Sequence, residues 1–182
     1  MDPGLVAVII IAVVAVAAIA FGVVLLFRTL RGDSVRKSIV SLIGRKEAIR
    51  SAYDALYGAV ERLANSDDAE LARFNEDPED EERKTFREVE AQMLIAEDEL
   101  KNTDVPRSLE GITVMMEDTV RLVHEAAGSV DGAGETEPLA AAGEIDFSYI
   151  GSAVEHMEKE LQETAERNHV EDRSVYGGGL YI

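Results

Sequence analysis

A long apolar run near the N-terminus constrains this chain more than any other sequence feature. Residues 5–27 are 23 consecutive residues without a charged or strongly polar side chain. As an α-helix the run is about 34 Å long, which is enough to cross a hydrocarbon core of about 30 Å with some tilt. The sequence therefore predicts one transmembrane helix over 5–27, preceded by a short exterior N-terminus, 1–4.

A cleaved signal peptide is the alternative interpretation of this run. Signal peptides combine a basic start, an apolar stretch of roughly 7–15 residues and a small-residue cleavage site. Here the only charged residue before the run is Asp2, an acid, and the run itself has 23 residues. The sequence therefore favours an uncleaved anchor.

Basic residues follow the predicted anchor and indicate its orientation. Excess Lys and Arg beside a membrane span stays in the cytoplasm, so we expect the N-terminus outside the cell membrane and the body in the cytoplasm. The lipid bilayer is then the first expected partner, because each basic residue near an anionic leaflet contributes about 1 kcal/mol of attraction. The residues predicted to contact the membrane surface are Arg28, Arg31, Arg36, Lys37, Arg45 and Lys46.

The charge changes sign along the chain. Residues 28–50 contain seven basic and two acidic residues, whereas residues 51–182 contain 11 basic and 33 acidic residues, a net charge of −22. This acidic body is repelled by an anionic membrane surface. It is also repelled by phosphate backbones, so we expect no nucleic acid partner.

The rest of the chain predicts an all-α protein. Apolar residues recur at helical, heptad-like spacing in four segments, which is typical of amphipathic helices that pack in a coiled-coil-like bundle. The sequence thus predicts an antiparallel four-helix bundle. The stripes are Ile39, Leu42, Ile49, Tyr53, Leu56, Val60 and Leu63; Phe86, Val89, Met93, Ala96 and Leu100; Leu109, Ile112, Met116, Val120 and Val123; and Phe147, Ile150, Val154, Met157, Leu161 and Ala165.

Breaks in these patterns set the expected boundaries. Gly32, Asp33 and Ser34 favour an interruption after the anchor, so we expect a basic juxtamembrane stalk over 28–46 and an acidic bundle over 47–171. Acidic or Gly/Ala-rich stretches without periodicity predict flexible loops near 66–77 and 128–145. The first of these has room for a short turn of helix around Ala69–Phe74. A Gly-rich, flexible C-terminal tail is expected over 172–182.

Neither catalysis nor cofactor binding is expected. The chain has no Cys, and it lacks the His-Glu-x-x-His zinc motif. Glu166 and His169 have the Glu-x-x-His spacing of di-iron bundles, but such a site needs a second copy and two further glutamates. We therefore predict no metal site, no cofactor and no enzymatic activity.

Two features point to protein partners. The apolar residues Leu180, Tyr181 and Ile182 follow three glycines, a pattern that suits capture of the C-terminus by strand addition; a disordered or folded-back end is the alternative.

The second feature lies within the predicted span. Ala15, Ala18 and Gly22 fall on one face, which predicts a possible transmembrane dimer face and homo-oligomer, although alanine is common throughout this span.

These features lead to two hypotheses for function. The first is a single-pass, membrane-anchored helical interaction or scaffold protein, which presents its acidic cytoplasmic bundle and its apolar tail to protein partners. The alternative is a sensory or ligand-binding helical bundle coupled to the anchor.

The orientation is testable with reporter fusions in a bacterial host. We expect alkaline phosphatase fused to the C-terminus to be inactive, because this enzyme folds only outside the cytoplasm, and green fluorescent protein fused there to be fluorescent. The control replaces residues 1–33 by a cleavable signal peptide, which should activate the phosphatase. An active phosphatase on the intact chain would contradict the predicted orientation.

Overall fold

The chain folds into helices. The computed structural model describes the backbone of residues 3–132 and 137–170, and the side chains of residues 34–130 and 137–170. Within these residues there is no β-strand, which confirms the all-α prediction. The helices are α1 (Pro3–Ala64), α2 (Asp68–Glu76), α3 (Glu81–Lys101), α4 (Glu110–Gly132), α5 (Pro138–Gly143) and α6 (Phe147–Arg167), with a short 3-10 helix (Arg107–Leu109) before α4.

The four long helices form a bundle in which neighbours are antiparallel. Arg62 pairs with Glu82 and Arg45 with Glu99, so α1 and α3 run in opposite directions. The same reasoning applies to α1 and α6, where Arg36 meets His169 at one end of the seam and Tyr57 meets Phe147 at the other. With α3 against α4 and α4 against α6, the topology is up-down-up-down.

The core is built from the stripes that the sequence predicts. Every stripe residue is buried except Tyr53, Val60 and Phe147, which are half-buried at the edge of the core. The match follows from the 3.6-residue period, which places such residues on one helix face. The predicted helical bundle is confirmed.

The break expected after the anchor is absent from the backbone. α1 continues through Gly32, Asp33 and Ser34, and the core begins at Ile39 and Leu42, both fully buried, inside the predicted stalk. One glycine costs only about 1 kcal/mol in a helix interior, and a helix that has already formed gains one hydrogen bond per residue added. This corrects the boundary between stalk and bundle.

Two short helices lie where the sequence predicts loops. Asp67 caps α2 in a reciprocal capping box with Glu70, and Phe74 is fully buried 6.0 Å from the ring of Phe86. The second short helix, α5, begins at Pro138, and the residues of α4 extend to Gly132. α2 is longer than the short turn of helix expected around Ala69–Phe74, and α5 corrects part of the predicted loop near 128–145.

The predicted membrane span is not tested by these side chains. Among the residues whose side chains are described, no helix combines the length and the apolar composition needed to cross a membrane. Residues 5–27 belong to α1, but only their backbone is described, not their side chains. The span therefore stays a prediction.

The last turn of α6 ends at a residue with positive φ. His169 has φ 54°, and the N–H groups of His169 and Val170 donate to the carbonyl oxygens of Glu166 and Ala165. These two bonds form a Schellman motif, in which glycine is the preferred residue at the left-handed position. The Arg36 guanidinium donates to the His169 carbonyl oxygen at 2.9 Å, which joins this helix end to α1.

Replacement of His169 by glycine should stabilise the protein. His169→Gly removes the cost of a side chain in the left-handed region, and we expect a gain of about 1 kcal/mol in the free energy of unfolding. The matched control is His156→Gly in the middle of α6, which should lose roughly 0.3–0.5 kcal/mol, the difference in helix propensity between the two residues. Thermal and denaturant unfolding of the full chain in detergent, followed by circular dichroism, measures both; effects of the same sign would contradict the assignment.

An aromatic cluster closes one side of the seam between α1 and α6. Phe147 lies 6.3 Å from Tyr53 and 5.4 Å from Tyr57, centroid to centroid. Burial raises the pKa of Tyr53, an effect that Arg50 partly offsets. The ring fits because residue 151 is glycine: a Cβ there would lie 2.7 Å from the Tyr53 hydroxyl oxygen.

A double-mutant cycle tests this close approach. Gly151→Ala should destabilise the chain, because overpacking costs about 1–3 kcal/mol and exceeds the gain in helix propensity. In a Tyr53→Phe background the same substitution should be less costly, since the obstructing hydroxyl is gone. Gly44→Ala is the control, because a Cβ there would have no heavy atom within 4 Å apart from its chain neighbours and the adjacent helix backbone. Equal effects of Gly151→Ala in both backgrounds would refute the contact.

Candidate docking groove

Three of the four seams between neighbouring long helices are bridged by polar side chains. Arg62 donates two hydrogen bonds to Glu82 across the α1–α3 seam, at 2.6 and 2.9 Å. Arg50 donates to Glu158 at 3.1 Å across the α1–α6 seam. Across the α3–α4 seam, the two ring nitrogens of His124 lie 4.0 Å and 3.9 Å from the carboxylates of Glu90 and Glu97.

The pKa of Glu97 in this α3–α4 seam is lowered. The Lys101 ammonium, one turn along α3, donates to the Glu97 carboxylate at 2.5 Å, and this hydrogen bond holds the pKa below its usual range. The carboxylate facing His124 is therefore kept ionised.

The fourth seam, between α4 and α6, opens to solvent as a groove. It contains two cavities of about 560 and 350 Å³, which share Leu122 and Tyr149 and so adjoin each other. We call this surface the α4–α6 groove. The larger cavity is lined by Leu122, Glu125, Ala126, Gly128, Ser129, Ala141, Glu144, Ile145, Asp146, Tyr149 and Ile150; the smaller by Gly111, Val114, Met115, Asp118, Thr119, Leu122, Tyr149, Ala153 and His156.

The groove exists because small residues alternate with larger apolar ones on the facing sides of the two helices. The facing surface of α4 carries the small residues Gly111, Ala126 and Ser129, and that of α6 carries Ala153, so little side-chain volume fills the space between the helices. Such residues recur at helical spacing and therefore lie on one face. The result is an apolar channel that the bundle does not fill.

Large apolar side chains are left exposed along this channel. Tyr149 is 62% exposed and Val114 is 55% exposed, values expected of surface residues. The Asp146 carboxylate accepts a hydrogen bond from the Tyr149 N–H at 3.0 Å and caps α6. This cap fixes the first turn of α6 and with it the position of the Tyr149 ring.

Acidic side chains surround the apolar floor. Asp118, Glu125, Glu144 and Asp146 line the cavities, and none of the described lining residues is Lys or Arg. Arg121 lies beside the groove, 2.7 Å from Asp118 and 3.9 Å from Glu125, so it offsets part of this charge. The more acidic end of the groove is therefore the end that contains Glu144 and Asp146, because Arg121 pairs with the other two carboxylates.

The basic residues predicted to contact a membrane surface divide into two groups. Arg36 and Lys37 are exposed, and Arg36 also binds the His169 carbonyl oxygen. Lys46 is only 8% exposed, with its Nζ 2.9 Å from Glu47, and Arg45 Nε lies 3.8 Å from Glu99. Arg45 and Lys46 thus pack on the bundle and retain little surface for a membrane, because the core begins at Ile39.

The remaining predicted contact residues lie outside the described side chains. Arg28 and Arg31, and the proposed dimer face of Ala15, Ala18 and Gly22, fall in the part of α1 for which only the backbone is described. Leu180, Tyr181 and Ile182 are beyond the described residues altogether. The membrane contact, the dimer face and the partner-binding tail stay predictions.

The side chains described in the structure include no cluster of three or more His, Asp or Glu that could hold a metal ion. His169, singled out for its spacing from Glu166, instead occupies the capping position at the end of α6.

The groove was not predicted from the sequence, although a signal for it exists. Val114, Leu122 and Tyr149 are apolar residues that fall off the core stripe of their helices. Together with the small residues on the same faces, they indicate a second, shallower apolar face. That pattern alone does not reveal that the two faces adjoin.

Comparisons of the chain with family models, with curated proteins and with solved structures find no match. The proposals below therefore depend on the sequence and the geometry of this chain.

Proposed function

We propose that this chain is a single-pass, membrane-anchored interaction module whose α4–α6 groove docks a helical segment of a partner protein. The observation that carries the proposal is the open apolar seam between α4 and α6, with Tyr149 and Val114 exposed along it. Exposed apolar surface of this kind, rimmed by polar residues, is typical of protein-binding sites.

The shape of the groove favours a helix as the bound element. It runs between two antiparallel helices, and its α4 wall extends from Gly111 to Ser129. At 1.5 Å per residue this wall is roughly 27 Å long, the length of about five helical turns. An amphipathic helix buries its apolar face in such a channel through residues spaced three, four and seven apart.

The predicted anchor gives this module its place in the cell. A transmembrane segment over 5–27 with basic residues on its C-terminal side would hold the bundle on the cytoplasmic face. The apolar C-terminal tail is a second proposed contact for partners. A scaffold that brings two partners to the membrane is consistent with these two separate contact surfaces.

A sensory or ligand-binding bundle is the second candidate. The volume of the larger cavity, about 560 Å³, falls within the range of roughly 300–1,000 Å³ that is usual for small-molecule sites. Such sites normally bury most of their ligand, whereas this groove is open along its length. The open shape favours a protein segment.

Filling the groove should abolish partner binding. Ala153→Trp places an indole in the smaller cavity and should remove proteins that co-purify with the full chain from native membranes. Ala91→Trp, on the exposed face of α3, is the matched control and should leave binding unchanged, as should deletion of 177–182 for any partner held by the groove. Both substitutions should leave the circular dichroism spectrum unchanged; the same protein partners with Ala153→Trp as with wild type would refute the proposal.

A further inference from the structure

We infer that the partner of the α4–α6 groove is a cationic amphipathic helix with two apolar anchor residues, one in each cavity. The inference rests on the proposed function and names the chemistry of its partner. It is carried by two independent features of the groove, its charge and its division into two cavities.

The charge of the groove selects for basic residues. Four carboxylates line the two cavities, from Asp118, Glu125, Glu144 and Asp146, and the described lining includes no Lys or Arg. Arg121 binds Asp118 and Glu125, whereas Glu144 and Asp146 form no ion pair within the described residues. Lys or Arg on the polar face of a docked helix would meet these carboxylates, most strongly at the end near Glu144.

The acidic body of the chain extends this selection beyond direct contacts. Residues 51–182 carry a net charge of −22, and a field of that sign accelerates the approach of a cationic segment. A second copy of the chain would bring the same acidic surface to the groove, and like charges facing each other at an interface oppose binding. An anionic membrane surface is disfavoured for the same reason.

The two cavities specify where the anchors lie. The α4 residues of the larger cavity are centred near Ala126, and those of the smaller cavity lie around Met115 and Thr119. These centres are roughly 14 Å apart along the helix axis, or between two and three turns. Anchors at positions i and i+7 or i and i+11 of a partner helix match this separation. The larger cavity would take the bulkier side chain, such as an aromatic ring.

The inference is tested with designed peptides and the full chain in phosphatidylcholine nanodiscs. The first probe is an 18-residue amphipathic helix with Phe and Leu anchors seven residues apart and Lys on its polar face. The second has the same anchors with Gln in place of Lys, and the third has the same composition as the first with the anchors scrambled. Fluorescence anisotropy at several salt concentrations measures the Kd of each.

Two pairs of variants separate groove contacts from general attraction to an acidic protein. The first is Glu144→Gln with Asp146→Asn, in which the asparagine still caps α6. The matched control is Glu61→Gln with Glu88→Gln, which removes the same charge from exposed sites on α1 and α3. The second pair is Ala153→Trp, which fills the groove, and Ala91→Trp, which is its matched control on the exposed face of α3.

We expect the Lys peptide to bind wild type at least about tenfold more tightly than either other peptide, and with a stronger salt dependence. Ala153→Trp should remove that binding and Ala91→Trp should not. Glu144→Gln with Asp146→Asn should weaken it by about three- to tenfold, since exposed ion pairs are individually weak, and Glu61→Gln with Glu88→Gln should have little effect.

Other results would overturn the inference in distinguishable ways. If the Gln peptide binds as tightly as the Lys peptide and Ala153→Trp abolishes both, the groove docks helices but does not select for charge. If the two double variants weaken binding equally, the attraction is not to the groove. If no peptide responds to Ala153→Trp, the proposed function fails as well. A dimer in sedimentation analysis that Ala153→Trp dissociates would identify a second copy as the occupant.

Discussion

The apolar stripe of α1 is the constraint on which the rest of the bundle depends. α1 contacts each of the other three long helices, and its stripe from Ile39 to Leu63 is part of the single core that they share. A helix of about 20 residues has little stability alone in water, so α3, α4 and α6 are held mainly by burying their own stripes against this common surface. Every other feature of the fold, including the groove, is positioned by that burial.

How much of this fold the sequence predicts depends on how local the signal is. The four long helices and their buried faces are predicted because each stripe repeats over five or more residues of the core. The short helices are missed or underestimated because their signals are brief. For α2 the sequence indicates only a short turn of helix, since the full helix depends on a capping box at Asp67 and on burial of Phe74 by Phe86, a residue outside the segment. The continuity of α1 through Gly32 is missed because one glycine has a small cost relative to the helix around it.

The groove depends on a relation between helices that no single segment encodes. From the sequence alone, Tyr149 and Leu122 are ordinary apolar residues off the core stripe, and Ala126 and Ala153 are ordinary helix formers. Only the packing of α4 against α6 shows that these residues line one groove. Lys46 illustrates the opposite case. It fills the stripe position between Leu42 and Ile49 where an apolar residue is missing from the sequence, yet its burial on the bundle follows from where the core begins.

The distribution of charge follows from the shortage of basic residues. With 11 basic against 33 acidic residues after residue 50, ion pairs cannot cover the whole surface. Arg62–Glu82 and Arg50–Glu158 span seams that involve α1, and His124 lies beside two carboxylates across the α3–α4 seam. The excess carboxylates remain on outer faces, where water and salt screen them. An acidic groove is one product of this arrangement.

The unbroken backbone of α1 gives the molecule a mechanical property. A helix of 62 residues is roughly 93 Å long, and this one has no internal proline at which it would kink. One half of this rod carries the apolar run and the other half belongs to the bundle core, so the two are not joined by a hinge. A tilt or rotation of the N-terminal half would therefore reach the packed helices through one continuous helical backbone.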